Sequence, residues 1–241
     1  MKKFILLLLT ICVGCQTTKI SNEKYKVSTS TTELGSIGVA ETKLNFENSF
    51  NTRSFPKLDG MVRLEIKTFP FNKQINDIYL EKTKVKQQEA TINYVDSLPN
   101  KPEYVTVSIL DVNSYIKELN ADYNKENLTF LKNTNEGRIV NNLALILSDE
   151  IISKIKSADA YYLINNQEKK YTVALYKNGK QFDSIDLHEG TALAYSLGKF
   201  CWTENDRHKW EIGDIIGEND NCLGTTSERV KKKEKVNLYK L

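Results

Sequence analysis

Histidine and arginine are scarce in this chain. It has two histidines, His188 and His208, and five arginines, Arg53, Arg63, Arg138, Arg207 and Arg229. Arginine is the residue that grips phosphates and carboxylates with two parallel hydrogen bonds. Its scarcity weighs against a dedicated nucleotide or phosphate site. Phosphate loops are missing as well. Neither G-x-G-x-x-G nor G-x-x-x-x-G-K-[ST] occurs, and the "GSIG" of Gly35 to Gly38 sits in a polar stretch. No G-x-S-x-G elbow and no H-E-x-x-H accompanies either histidine, so no histidine-based triad or zinc site is assembled. Both histidines are read as surface or structural residues. No apolar run reaches the ~20 residues that cross a bilayer. No internal repeat and no heptad run is found.

A strong charge of one sign is also lacking. The formal net charge is +3 over 241 residues. Lys2 and Lys3 supply two of the 34 basic residues, and no acid lies in residues 1–14. From Cys15 onward, therefore, 32 bases face 31 acids. A near-neutral body has no electrostatic footprint for nucleic acid. The composition, 40% hydrophobic and 27% charged, is that of a globular chain with enough length to bury a core.

The clearest signal is at the start, in "FILLLLTICVGCQTT". Lys2 and Lys3 form a positive leader, and Phe4 to Ile11 an apolar run too short to span a membrane. An apolar run ending in "CVGC" resembles the lipobox of bacterial lipoproteins. In that family the signal is cut before an obligate cysteine whose thiol is joined to diacylglycerol. The resemblance makes Gly14 the last signal residue and Cys15 the lipidated residue. It departs from the family pattern in having Cys12 where leucine is usual, and it covers residues 1–15 alone. Two or three acyl chains hold a protein stably on a bilayer, at ~0.8 kcal/mol per buried CH₂. Gln16 stands where some Gram-negative lipoproteins carry an aspartate that retains them at the inner membrane. The resemblance therefore favours the outer membrane. An ordinary cleaved signal or an uncleaved anchor is the alternative.

Beyond the anchor two cysteines remain, Cys201 and Cys222. In an exported protein such a pair suggests a disulfide. A free thiol pair and a metal site with His208 are the alternatives, the latter without C-x-x-C spacing or an evident fourth ligand.

Residues 15–55 begin with Ser, Thr, Lys and Gly and few apolar residues, and are expected to form a flexible spacer. A folded domain is expected over 56–241. "MVRLEIKTF" alternates as a half-buried strand, and "YVTVSIL" is a second strand. Asn113 is a candidate cap for "SYIKELN", and "KENLTFLKN" is a further helical stretch. Arg138 to Leu147 fits either strand or helix. "SDEIISKI" starts as a helix capped by Ser148 or Asp149. "AYYLI" reads as a strand. "YTVALYKNGKQFDSIDL" is a hairpin about Asn178-Gly179. "TALAYSLGKFCW" and the terminal "KVNLYKL" are further strands. The expectation is an α+β fold, mainly antiparallel sheet with a few helices and a C-terminal disulfide-stapled region.

Chemistry is harder to find. Asp183 and Asp186 are placed on opposite faces of a strand. Asp214, Glu218 and Asp220 are placed in a loop but miss the calcium-loop pattern. Aromatics in "AYYL" and "FCW" could line a carbohydrate or peptide groove, but core packing is the commoner use. The basic run Val230 to Lys235 is read as a solvated edge. "DSL" at 96–98 and "DSI" at 183–185 resemble an O-glycan acceptor pattern of some Gram-negative envelope proteins. Ser97 is the better candidate, with Ser184 expected to be buried in the hairpin.

No catalytic, cofactor or metal residue is nominated. The leading expectation is a lipid-anchored, non-catalytic accessory or binding protein of the envelope that contacts the bilayer through acylated Cys15 and another envelope protein or glycan. A carboxylate-based hydrolase or a carbohydrate- or peptide-binding module is the alternative.

Overall fold

A computed structural model describes residues 17–20, 23–27, 32–42, 48–85, 91–97, 99–165 and 171–230. Cys12, Cys15 and the expected terminal strand lie outside these residues. The described chain forms one sheet in which every strand pairing is antiparallel, with four α-helices. The fold is thus α+β and mainly antiparallel sheet.

The centre of the sheet is two long strands, β7 (Gly137–Ile146) and β11 (Thr191–Glu204). On the far side of β7 lie β6 (Glu103–Ile109), β5 (Val62–Pro70), β8 (Ala160–Asn165), β9 (Tyr171–Lys177) and the edge strand β10 (Lys180–Ile185). β5 and β6 match the strands expected from alternation. The stretch from Arg138, open between strand and helix in sequence, is strand. Asn178 and Gly179 both have positive φ, 51° and 74°, as the expected Asn-Gly turn requires.

Side chains on β7 alternate between two cores. Leu143 and Leu145 face one, with Val105 and Val107 of β6 and Leu163 of β8. Ala144 and Ile146 face the other. The first core is covered by α2 (Val112–Asn120), α3 (Lys125–Asn133) and α4 (Asp149–Ser157) through Tyr115, Leu119, Leu131, Ile152 and Ile155. The second is covered by α1 (Lys73–Val85), through Ile75, Ile78 and Tyr79. Each such Leu or Ile contributes roughly 1.5–3 kcal/mol by leaving water. The Ser148 side chain accepts from the Ile151 N–H and caps α4, as expected. The cap of α2 is Asp111 rather than Asn113, because the Asp111 carboxylate accepts from the Ser114 N–H.

The expected spacer is folded wherever it is described. β1 (Thr17–Ile20), β2 (Glu23–Val27), β3 (Ile37–Thr42) and β4 (Asn48–Ser54) all join the sheet. Five of its apolar residues, Ile20, Tyr25, Leu34, Ile37 and Phe50, are buried. Two buried tyrosines on distant elements also hold this segment and the residue that follows it. Tyr115 donates its hydroxyl to the Gly35 carbonyl at 2.7 Å, and Tyr171 donates to the Pro56 carbonyl at 2.5 Å. Low local hydrophobicity was a poor guide because partners far along the chain supply the core.

β12 (Trp210–Gly217) is a second departure. It pairs with β11 inside a segment expected to be loop. Asp214 accordingly lies on a strand, opposite Cys201.

Candidate functional site

The two central strands share their outer edges among four neighbours. On β11, β2 pairs with Ala194 and Tyr195, while β12 begins only at Gly198. On β7, β3 pairs from Gly137 to Ile139, while β6 begins at Asn142. The sheet therefore splits on both sides at the same level, around Asn142, Ser196 and Leu197. The β7–β11 register also slips there. Ser196 faces Asn142 but Leu197 faces Val140, so Asn141 is an extra residue. This is a β-bulge, the device that re-aims side chains within a ladder.

The bulge brings two consecutive amides onto one hydroxyl. Asn142 Nδ2 donates to Ser196 Oγ at 2.7 Å, and Ser196 Oγ donates to Asn141 Oδ1 at 3.0 Å. In a regular strand these asparagines would point to opposite faces. The triplet forms the floor of a cleft of about 730 Å³. One wall is the β1–β2 hairpin, with Thr17, Lys24 and Lys26. The other is the turn after β12, with Glu218, Asn219 and Asp220. Lys26 Nζ donates to Glu218 Oε1 at 2.7 Å and ties the walls together. The volume lies in the ~300–1,000 Å³ range of small-molecule sites.

The chemistry of the cleft is hydrogen bonding. The Ser196 proton is directed at an amide oxygen, which is no base, so the hydroxyl is not activated as a nucleophile. Glu218 is held by an ammonium. Two lysines and two acids on the walls balance in charge. Amides and hydroxyls offer donors and acceptors side by side.

Of the residues singled out in sequence, Glu218 and Asp220 line this cleft, and the two histidines do not. His188 lies in the turn after β10, with its Nε2 3.1 Å from Glu33 Oε2. This pair stands at the mouth of a separate cavity of about 60 Å³, floored by Leu143, Leu163 and Tyr171. His208 has a positive φ of 56°, and its Nδ1 lies 3.2 Å from Glu204 Oε1. Among the described residues, no three His, Cys, Asp or Glu side chains converge as metal ligands.

Cys201 and Cys222 form a disulfide, with Cα atoms 5.6 Å apart. The free-thiol and metal alternatives are thereby excluded. The bridge ties β11 to the segment after β12. Ser227 then exchanges two backbone hydrogen bonds with Trp202 on the same strand. Phe200, Cys201 and Trp202 are buried, so "FCW" is core rather than a groove lining. In "AYYL", Tyr161 donates to the Ile155 carbonyl, and Tyr162 packs edge-on against Tyr176 at 5.0 Å. Asp183 pairs with Lys154 of α4, and Asp186 lies past the strand, where it accepts from the His188 N–H. Ser97 is exposed in a turn. Ser184 is exposed as well, on the edge strand, which corrects its expected burial.

The cleft was not found from sequence. Its one trace is the Asn141-Asn142 interruption of the apolar run from Ile139 to Leu147. No protein-family model, curated protein or solved structure matches the chain.

Proposed function

We infer that this chain is an exported protein, anchored through acylated Cys15 to a membrane of the cell envelope, the outer membrane being favoured. It acts by binding another envelope component rather than by catalysis, and the cleft over Asn141, Asn142 and Ser196 is its binding site. The lipobox-like start supports the anchor, and the observation that carries the binding reading is the bulge itself. It spends a register slip in the middle of the sheet to present two amides and a hydroxyl at the base of an open cleft.

A carboxylate-based hydrolase needs one acid held protonated near neutral pH. The carboxyls of Asp96, Asp111, Asp183 and Glu228 are displaced the other way. Hydrogen bonds from Lys101, the Ser114 side chain, the Ser184 backbone and Lys199, respectively, hold them below the usual range. None of these four carboxyls is poised as a general acid, and none lines the cleft.

The test is extraction of tagged full-length protein from native membranes in mild detergent, beside a Cys15→Ser form. Mass spectrometry is expected to find Cys15 acylated in the first and no acyl group in the second. It is also expected to find an envelope component copurifying with the first. Acylation persisting in Cys15→Ser overturns the anchor assignment. Turnover of a glycan, peptide or ester substrate by the soluble domain overturns the non-catalytic reading.

A further inference from the structure

The cleft and the anchor are adjacent in the chain. Thr17 lines the cleft and is the first residue of β1. Cys15 is two residues earlier, and two residues of extended chain span at most ~7 Å. Because β1 starts at Thr17, no long tether separates the cleft wall from the acylated residue. On the anchored reading above, the β1–β2 hairpin lies at the bilayer surface and the cleft opens beside lipid headgroups.

The lining says what kind of headgroup fits. An anionic phosphate site would present uncompensated Lys or Arg. Here Lys26 is already paired with Glu218, and one further lysine, Lys24, faces one further acid, Asp220, in the lining, so the charges balance in number. No arginine lines the cleft among the described residues. The remaining groups are Asn141, Asn142, Ser196, Thr17 and Asn219, which are neutral and both donate and accept. A ring bearing several hydroxyls has the same mixed character, and adjacent hydroxyls match an amide's paired N–H and C=O. We propose that the cleft binds an uncharged saccharide, and that the saccharide is the headgroup of a glycolipid in the membrane that holds the anchor. This rests on the binding and anchoring reading, and narrows it to a ligand class and a location.

The experiment uses Cys15→Ser protein expressed without residues 1–14, so that it carries neither signal nor lipid, and vesicles of phosphatidylcholine. The vesicles carry, in turn, glucose-, galactose- and N-acetylglucosamine-headed glycolipids. Plain phosphatidylcholine and phosphatidylglycerol vesicles are the controls, and the matching free oligosaccharides are run as competitors. The expected result is at least tenfold more protein on one class of glycolipid vesicle than on either control. Asn142→Ala and Ser196→Ala should each weaken this about tenfold, the loss of one good hydrogen bond to a bound ligand. Asn219→Ala lies in an exposed turn and should weaken binding without disturbing the strands.

A free oligosaccharide that binds as tightly as the vesicle keeps the saccharide assignment and overturns the membrane source. Preference for phosphatidylglycerol overturns the uncharged ligand. A response to sugar that survives all three variants overturns the cleft as the site. If no sugar binds in either form, the saccharide inference is wrong. An acylated, partner-bound protein in the extraction experiment would leave the broader reading standing in that case, and its absence would remove both.

Discussion

Asn120, the last residue of α2, holds both backbone groups of Ile212 on β12. Its Nδ2 donates to the Ile212 carbonyl at 2.8 Å, and its Oδ1 accepts from the Ile212 N–H at 2.9 Å. Among the described strands, β12 pairs with β11 alone. A side-chain amide thus stands where a neighbouring strand would, and covers an otherwise open edge. Asn120→Ala leaves both backbone groups without these partners, and Ile212 is buried. The expected loss is ~1–3 kcal/mol in a denaturant melt. Asn120→Asp keeps the acceptor but loses the donor, and should fall between. A melt unchanged in Asn120→Ala would show that water replaces the amide fully.

Two glycines separate two causes of glycine dependence. Gly179 has φ +74° and open space where a Cβ would stand, so only the backbone conformation is at stake. Gly179→Ala should cost ~1 kcal/mol. Gly38 on β3 has no such φ, but a Cβ there would lie 2.1 Å from the Asn51 carbonyl oxygen on β4. The two strands would have to part. Gly38→Ala is therefore expected to cost more, ~1–3 kcal/mol or above by analogy with overpacked cores. Equal losses in paired thermal melts would show that the β3–β4 ribbon yields easily.

How far the sequence spoke can be read from particular segments. β5 was legible because Val62, Leu64 and Ile66 alternate with charged residues. The β9–β10 turn was legible because Asn-Gly has few other uses. The signal for α1 was present and overlooked. Ile75, Ile78 and Tyr79 have helical spacing, and Asn72 accepts from the Ile75 N–H as a cap. β12 was hidden by the acidic residues around it and by a register slip beside Trp202. The cleft was beyond local reading. Asn141 and Asn142 converge only because β3, β6, β2 and β12 leave the central strands at one level, and that is a property of long-range pairing.

The disulfide closes a loop between residues separated by 21 positions. Chain-entropy estimates for loops near this size give ~3 kcal/mol, within a typical 2–4 kcal/mol. The paired change Cys201→Ala with Cys222→Ser should lower stability by that order. It should also raise hydrogen exchange at Trp202 and Ser227, whose mutual hydrogen bonds the bridge supports. Cys201 is fully buried, so reduction of the native protein should be slow until the segment after β12 opens. Rapid reduction under native conditions would contradict that packing.

Alkali should attack the fold through its tyrosines. Burial pushes the Tyr195 hydroxyl up to about 12, with the Glu218 charge adding to it. Tyr123 is also pushed up to about 12, by desolvation and by the Glu118 carboxylate that accepts its hydrogen bond at 2.6 Å, but it is exposed and adds little to the stability change. Tyr115 and Tyr171 are raised further by deeper burial. The unfolded chain loses these protons near pH 10 while the folded chain keeps them. Stability is therefore fully present below about pH 10 and falls as pH rises toward 12 and beyond, because the unfolded state binds fewer protons there. Tyrosinate absorbance and far-UV circular dichroism should show exposed tyrosines titrating first and the buried ones only as the fold is lost. Tyr195→Phe removes one such group and should move the alkaline midpoint upward. A midpoint unchanged in that variant would place the alkaline weakness at Tyr115 and Tyr171, where the segment around Gly35 and Pro56 is held.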